Sequence, residues 1–186
     1  AKDYLLKEDT LLLESDIIFE DSVLNSLTDD PRDSLALAAK YESWMDGTCL
    51  VLSDQDDIEA MIPGKKFRFS DTEHYYKTVN LYKFSQEFSR THYVPFLEAY
   101  TKALGNNEYY EQVLKVLVTL DDPGIKAKRL DENQRWYEID DIQDLNIAES
   151  IFAPDPEAFR RLLALSKNAG FLLSGKQLLS AAENDG

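Results

Sequence analysis

Cysteine is nearly absent from this sequence: Cys49 is the single thiol among 186 residues. One thiol cannot close an intramolecular disulfide, and with only two histidines, His74 and His92, it cannot build a zinc cluster of thiolates and imidazoles. Carboxylates are then the plentiful metal ligands, so any bound metal is a hard, oxygen-preferring ion. Cys49 lies in "GTCLVL", where it reads as a small buried hydrophobe, and neither histidine stands in a nucleophile motif. Long apolar runs are missing too. No stretch reaches the roughly 18 residues of a membrane span, and "AKDYLLKEDT" lacks the basic-then-apolar order of a secretory signal. Positive charge is scarce: 20 basic against 35 acidic residues give a formal net charge of −15, which disfavours binding to nucleic acid or an anionic membrane. A phosphate-bearing small ligand would need local help from a cation or from backbone amides.

What is present suits a globular chain. A 44% hydrophobic content over this length supports one substantial core, and the expectation is a soluble cytoplasmic protein. The sequence does not open with methionine and its first apolar run, "TLLLES", comes early, as in the middle of a longer chain.

Periodicity predicts alternating strands and helices. "TLLLES" reads as a short buried strand and "DSVLNSLTDD" as a short helix. "SLALAAKYES" and "GTCLVLSD" read as two strands around a turn at Met45 to Gly47, and "HYYKTVNLYKF" as a longer strand, with "DQDD" and "PGKK" as exposed turns. From Ser85 the period turns helical: Ser85 caps "QEFSR", Pro95 suits the first turn of "FLEAYTKAL", and Gly105 ends it. In "NEYYEQVLKVLVTL" the helical face is Tyr109, Val113, Val116, Leu117 and Leu120. "GIKAKRL" and "RWYEI" read as strands about the turn "DENQ". "IQDLNIAESIF" and "DPEAFRRLLALSKNAG" read as helices, and the tail "FLLSGKQLLSAAENDG" as a last short helix without an assigned role. The order points to a layered α/β domain over residues 1–153, followed by a helical extension over 154–186.

Several stretches carry candidate chemistry. "LLLESDIIFED" ends an apolar strand on Glu14-Ser15-Asp16, at the sheet edge where open α/β folds place ligands, though Asp16 is equally suited to ending the strand or capping the turn. "WYEIDDIQDLNIAESIF" crowds Glu138, Asp140, Asp141 and Asp144 where a strand meets a helix. One aspartate suffices to cap that helix. If the strands of Asp16 and Asp140 are neighbours, two anions meet, and Mg²⁺ suits such a pair because it keeps waters and takes phosphate oxygens. In "KYESWMDGT", Trp44 and Asp46 offer an indole face beside a carboxylate, which suits an ammonium group; covering a hydrophobic edge is the ordinary alternative. The aromatic set Tyr75, Tyr76, Tyr82, Tyr109, Tyr110, Trp136 and Tyr137 is mostly core or interface by type.

From "LLLESDIIFED" through "YESWMDGT", "KTVNLYKFS" and "NEYYEQVL" to "WYEIDDIQD", the chain resembles a nucleotidyltransferase of the phosphocholine and 2-aminoethylphosphonate cytidylyltransferase type, within the sugar-nucleotidyltransferase superfamily. The resemblance covers roughly Thr10 to Phe152. It implies the C-terminal portion of a Rossmann-like nucleotidyltransferase fold, a mixed sheet flanked by helices. It implies Asp16 and Asp140 as ligands of Mg²⁺, Trp44 at the substrate's amine, beside the Asp46 read above from the turn itself, and Tyr82 and Tyr110 as cage partners. The implied reaction is attack by a phosphate or phosphonate oxygen on the α-phosphate of CTP, releasing pyrophosphate, without a covalent enzyme intermediate.

The family's glycine-rich loop with its arginine and lysine has no counterpart before Asp16; the glycines are scattered as Gly47, Gly64, Gly105, Gly124, Gly170, Gly175 and Gly186. By the resemblance, the chain is the acceptor-binding and metal-binding portion of an enzyme, a poor catalyst by itself. Sheet edges left open there invite a homo-oligomer. A sugar-1-phosphate acceptor, or a noncatalytic nucleotidyltransferase-like binding module, is the alternative.

Overall fold

The computed structural model describes residues 2–105 and 109–152. In chain order the elements are α1 (Lys2–Leu5), β1 (Thr10–Leu13), β2 (Ile17–Phe19), α2 (Asp21–Thr28), β3 (Leu35–Lys40), β4 (Cys49–Leu52), β5 (Ile58–Ile62), β6 (Tyr75–Phe84), α3 (Gln86–Phe88), α4 (Val94–Leu104), α5 (Glu111–Leu117), β7 (Lys126–Arg129), β8 (Trp136–Glu138) and α6 (Ile142–Phe152). The mixed α/β class is as expected. The helix predicted from Asp155 and the tail helix lie outside the described residues. The chain divides into two compact units, one of the chain up to Leu12 with Leu24–Gln134, the other of Leu13–Val23 with the chain from Arg135. No helix of the described residues is long and apolar enough to cross a membrane.

The first unit is built on a sheet of order β5-β4-β6-β3-β7, with β1 also paired to β6. β3 runs antiparallel to β6 and parallel to β7. Flanked on both sides, "LALAA" is buried throughout, which explains a continuous apolar run in place of alternation. Ala36 lies opposite Tyr82 in the register, and Ala36, Ala38, Tyr82 and Phe84 share one core cluster, so small side chains on one strand admit aromatic ones on the next. β3 and β4, expected to flank a turn, are both real strands but are not neighbours; the long strand β6 separates them. β6 bulges between its pairings Ala36↔Tyr82 and Ala38↔Thr78, where one residue of β3 faces three of β6. Asn80, at φ +59°, takes the left-handed conformation inside that bulge, one that asparagine tolerates better than most residues.

The helical side follows the expected caps. Ser85 Oγ accepts the Phe88 amide at 3.1 Å, α3 passes through a π-helical turn over Ser89–Tyr93 into α4, and Pro95 occupies its first turn. Gly105, at φ +87°, closes α4 with its amide on Thr101 O. The face of α5 differs from expectation. Val113, Leu114 and Leu117 are buried, whereas Tyr109, Val116 and Leu120 are exposed. The helix begins only at Glu111, so Tyr109 precedes it and the stripe shifts.

A charged clasp ties the turn between β4 and β5 to β7. Arg32 grips Asp30 through Nε at 2.9 Å and Nη2 at 2.8 Å, and its Nη1 reaches Asp56 Oδ2 at 3.1 Å and Ala127 O at 3.0 Å. Arg129 Nη1 meets Asp56 Oδ1 at 3.2 Å while Nη2 donates to Ser53 O at 2.6 Å, and Lys128 lies 3.5 Å from Asp30. Asp56 has φ +64° in this turn, held on both carboxylate oxygens. The hydrogen bonds of Arg32 hold the Asp30 carboxyl well below the usual carboxylate range.

In the second unit β2 and β8 pair antiparallel, Phe19↔Trp136 to Ile17↔Glu138. Tyr137 and Ala148 are buried against Ile18, Ile139, Leu145, Ile151 and Phe152, which seats α6 on this ribbon. Arg135 joins its parts: Nε binds Glu20 Oε2 at 3.0 Å, Nη1 binds Ile151 O at 2.9 Å, and the guanidinium lies over the Phe152 ring at 5.5 Å.

Candidate functional site

The acidic stretch in the second unit divides its labour by geometry. Asp141 Oδ1 accepts the amides of Gln143 at 2.7 Å and Asp144 at 3.1 Å, while Asp144 Oδ2 accepts the amide of Asp141 at 3.1 Å. This reciprocal pair is a capping box at the start of α6. Asp144 Oδ2 also takes the Asp140 amide at 3.1 Å, and its Oδ1 the Tyr137 hydroxyl at 3.4 Å. Burial, then the charge of Asp144, raises the Tyr137 phenol and keeps it protonated as that donor. Two of the four acids are thus committed to the helix, as one of them was expected to be. The Asp140 carboxylate makes no hydrogen bond or ion pair with the described residues.

Asp16 lies in the turn between β1 and β2 rather than on the end of the first strand, which stops at Leu13. Its carbonyl accepts the Ile139 amide at 2.9 Å, one step beyond the Ile17↔Glu138 pair. The antiparallel register therefore brings Asp16 and Asp140 to the same end of one ladder. Both are exposed, and the Asp16 carboxylate is likewise unengaged among the described residues. No group of three or more histidine, cysteine, aspartate or glutamate side chains suited to a metal occurs among the described residues. Exposed carboxylates are the donor type that Mg²⁺ takes, one or two at a time, with water and phosphate oxygens in its remaining positions.

The candidate acceptor loop, Tyr41 to Thr48, belongs to the first unit. The Met45 amide closes a turn on Glu42 O at 3.0 Å, and the Trp44 indole N–H donates to Glu42 Oε2 at 3.2 Å, which fixes a 38%-exposed ring beside a carboxylate. Asp46 Oδ1 accepts the Gly47 amide at 2.6 Å, and Gly47 has φ +87°, a conformation most side chains would strain. Beneath the turn lies Lys77, only 2% exposed, whose ammonium donates to Thr78 O at 2.9 Å and sits 3.5 Å from where a Cβ on Gly47 would be. Thr78 donates to Thr48 O through both its amide and its hydroxyl, at 3.2 Å each.

Tyr82 and Tyr110 are in contact edge to face, centroids 6.1 Å apart, but Tyr82 is 1% exposed and its ring is core. Its hydroxyl reaches Glu111 Oε1 at 3.4 Å, and Glu111 Oε2 accepts from Thr48 Oγ1 at 3.1 Å. Glu42 and Glu111 are thus carboxylates of this region that sequence reasoning missed; their positions next to Trp44 and Tyr110 in the quoted motifs were the available signal. Cys49 is buried, and that burial pushes its thiol up to about 11, so it stays protonated and is not a nucleophile.

No known family's sequence profile matches the chain. Among curated proteins it is 28% identical over 162 residues to CMP-5'-(3-aminopropyl)phosphonate synthase of Streptomyces rubellomurinus, covering 86% of this chain and 26% of that protein. Among solved structures, CTP:phosphocholine cytidylyltransferase LicC from Streptococcus pneumoniae aligns at TM-score 0.62 and 20% identity, over 81% of this chain and 59% of that one. A Bacillus anthracis protein described as a glucose-1-phosphate thymidylyltransferase, in complex with a sucrose, aligns at TM-score 0.57 and 11% identity, over 80% and 56%. The chain spans about a quarter of the curated relative's length and under three-fifths of either structural neighbour. Over four-fifths of its own length, it has the fold of part of a nucleotidyltransferase and resembles the cytidylyltransferase type.

Proposed function

We propose that the chain is the acceptor-binding and metal-binding portion of a Mg²⁺-dependent cytidylyltransferase, which transfers CMP from CTP to a small amine-bearing phosphate or phosphonate and releases pyrophosphate. The observation that carries this reading is that two unengaged carboxylates, Asp16 and Asp140, lie at the same end of the β2–β8 ladder. The likeness to an aminopropylphosphonate-handling protein and to a phosphocholine cytidylyltransferase favours an amine-bearing acceptor.

The bond from an acceptor oxygen to the α-phosphorus forms as the bond from that phosphorus to the pyrophosphate oxygen breaks. The protein supplies no nucleophile, consistent with a protonated Cys49, and its work is positioning and offsetting charge. Asp16 and Asp140 would hold the cation, which when bound supplies positive charge to phosphate oxygens. Trp44, fixed by Glu42, and Asp46 face the ammonium group. Tyr110 and the Tyr82 hydroxyl border the same loop through Glu111 and Thr48.

The test is pyrophosphate release from CTP and Mg²⁺ by the intact protein, begun at its own initiating methionine, against phosphocholine, 2-aminoethylphosphonate, 3-aminopropylphosphonate and sugar-1-phosphates. Turnover confined to amine-bearing acceptors is expected. Turnover confined to sugar-1-phosphates would replace the acceptor, and silence from a folded protein would leave a noncatalytic module. Trp44→Ala should raise KM for amine-bearing acceptors by about 2- to 30-fold, the equivalent of about 0.5–2 kcal/mol, with kcat little changed. A lowered melting temperature with unchanged KM would make the indole a packing residue.

A further inference from the structure

This acidic chain carries a local concentration of positive charge between β5 and β6. The segment "PGKKFRF" places Lys65, Lys66 and Arg68 within four residues, all exposed. None of the three makes a side-chain hydrogen bond or ion pair with the described residues, although acids outnumber bases 35 to 20 over the chain. The nearby acids are engaged elsewhere. Asp71 accepts from Ser70 Oγ at 2.6 Å, and Glu73 lies 3.1 Å from His74 Nε2. A solvated charge run is the ordinary explanation of exposed lysines, but a chain at −15 gains nothing in solubility from three added cations.

Where these cations stand is the second observation. Gly64 abuts the acceptor loop: a Cβ there would be 3.7 Å from Gly47 O and 3.9 Å from Asp46 Oδ1. Two tight turns fix the backbone, Lys66 N to Pro63 O at 2.8 Å and Phe67 N to Gly64 O at 3.1 Å. Phe67 then anchors the segment, its ring 5.0 Å from Tyr41 and 5.2 Å from Tyr75, with Phe69 packed edge-on at 5.2 Å. Tyr41 opens the acceptor loop, and the charge of Asp46 contributes to raising its phenol, after burial and Cys49. The backbone that carries this arm of cations therefore adjoins, at Gly64, a turn whose own charged groups, Glu42 and Asp46, are carboxylates.

Resting on the function proposed above, we infer that Lys65, Lys66 and Arg68 form the anion-binding side of the acceptor site and take the phosphate or phosphonate group whose amine end meets Trp44, Glu42 and Asp46. A zwitterionic acceptor with a short alkyl chain presents two opposite charges, and the two adjoining loops present the complementary pair. Without such cations, carboxylates at the amine end would repel the anionic end of the same small molecule.

The experiment is steady-state kinetics of the intact protein and its Lys65→Ala/Lys66→Ala/Arg68→Ala variant with 2-aminoethylphosphonate or phosphocholine, whichever turns over. Acceptor KM should rise at least tenfold, with kcat and the KM for CTP within threefold. Acceptor KM of the unsubstituted protein should climb with ionic strength more steeply than that of the variant. A Lys65→Arg/Lys66→Arg protein should keep the original KM, and because all three positions are exposed the circular dichroism spectrum and melting temperature should not move. Turnover with unchanged acceptor KM would overturn the arm and leave the proposed function standing. An equal rise in the KM for CTP would assign the arm to the nucleotide instead. No turnover by the unsubstituted protein with any acceptor would remove the function and the arm together.

Discussion

Asp16→Asn and Asp140→Asn, each made in the intact protein, should lower Mg²⁺-dependent pyrophosphate release by about a thousandfold, the equivalent of about 4 kcal/mol of barrier. The amide keeps the size of the side chain and removes the charge that a divalent ion requires. Asp16 contributes its carbonyl to the Ile139 amide and Asp140 its amide to Asp144, so the backbone bonds survive both substitutions and melting temperatures should stay within a few degrees. Raising Mg²⁺ should restore part of the rate in the single variants and none in the double. Asp141→Asn is the internal control: it removes a charge from the adjacent residue but leaves a side chain able to cap, so activity should persist. Near-normal turnover in both single variants would exclude the carboxylate pair as the metal's holder.

The largest expected effect on stability belongs to Asp30. Its side chain is 8% exposed and accepts from Arg32 Nε, Nη2 and backbone N–H, with Lys128 3.5 Å away. Asp30→Asn should cost about 2–4 kcal/mol, because it leaves a partly buried guanidinium short of its counter-charge and slackens the grip of that same Arg32 on Asp56 and Ala127. The sign with pH follows from a carboxyl held below its ordinary value. Its contribution is complete above the unfolded value near ~4 and fades as pH falls below that towards the native value. Urea unfolding at pH 7 and at pH 3 should show the gap between the two proteins narrowing at the lower pH. A gap that is constant or wider at pH 3 would contradict this account.

Much of this was legible in the sequence where local chemistry decides the outcome. Ser85, Pro95, Gly105 and Asp141 sit at their helix ends because capping depends on a few adjacent residues. β3, β6 and β8 follow from β-branched, aromatic and apolar runs. The failures concern partners rather than propensity. "IEAMI", set between two polar turns, has no alternation that marks it as a strand, yet it pairs with β4 as the edge strand β5. The pairing of β6 between β4 and β3 is long-range and has no local signature. On α5, the stripe was misjudged because the helix starts two residues later than the tyrosine taken as its first contact. Asp16 and Asp140 in one unit, and Trp44 in the other, stand in recognisable motifs. Glu42, Glu111 and Lys77, which brace the Trp44 to Thr48 loop, do not, since a carboxylate or lysine in a strand or loop shows nothing of its role until the chain is folded around it.

The capping box at α6 also bears on the entropy of loading. Asp144 gathers the amides of both Asp140 and Asp141 on one oxygen, so the backbone of Asp140 is set by the helix start and does not wait for an ion. If Asp140 holds the ion as proposed, capture would order a side chain or two, at roughly 0.5–1 kcal/mol each, rather than a segment of chain at roughly 1–2 kcal/mol per residue. Under the proposed function, such a centre would exchange its ion without unravelling, which suits a metal that arrives and departs with each nucleotide.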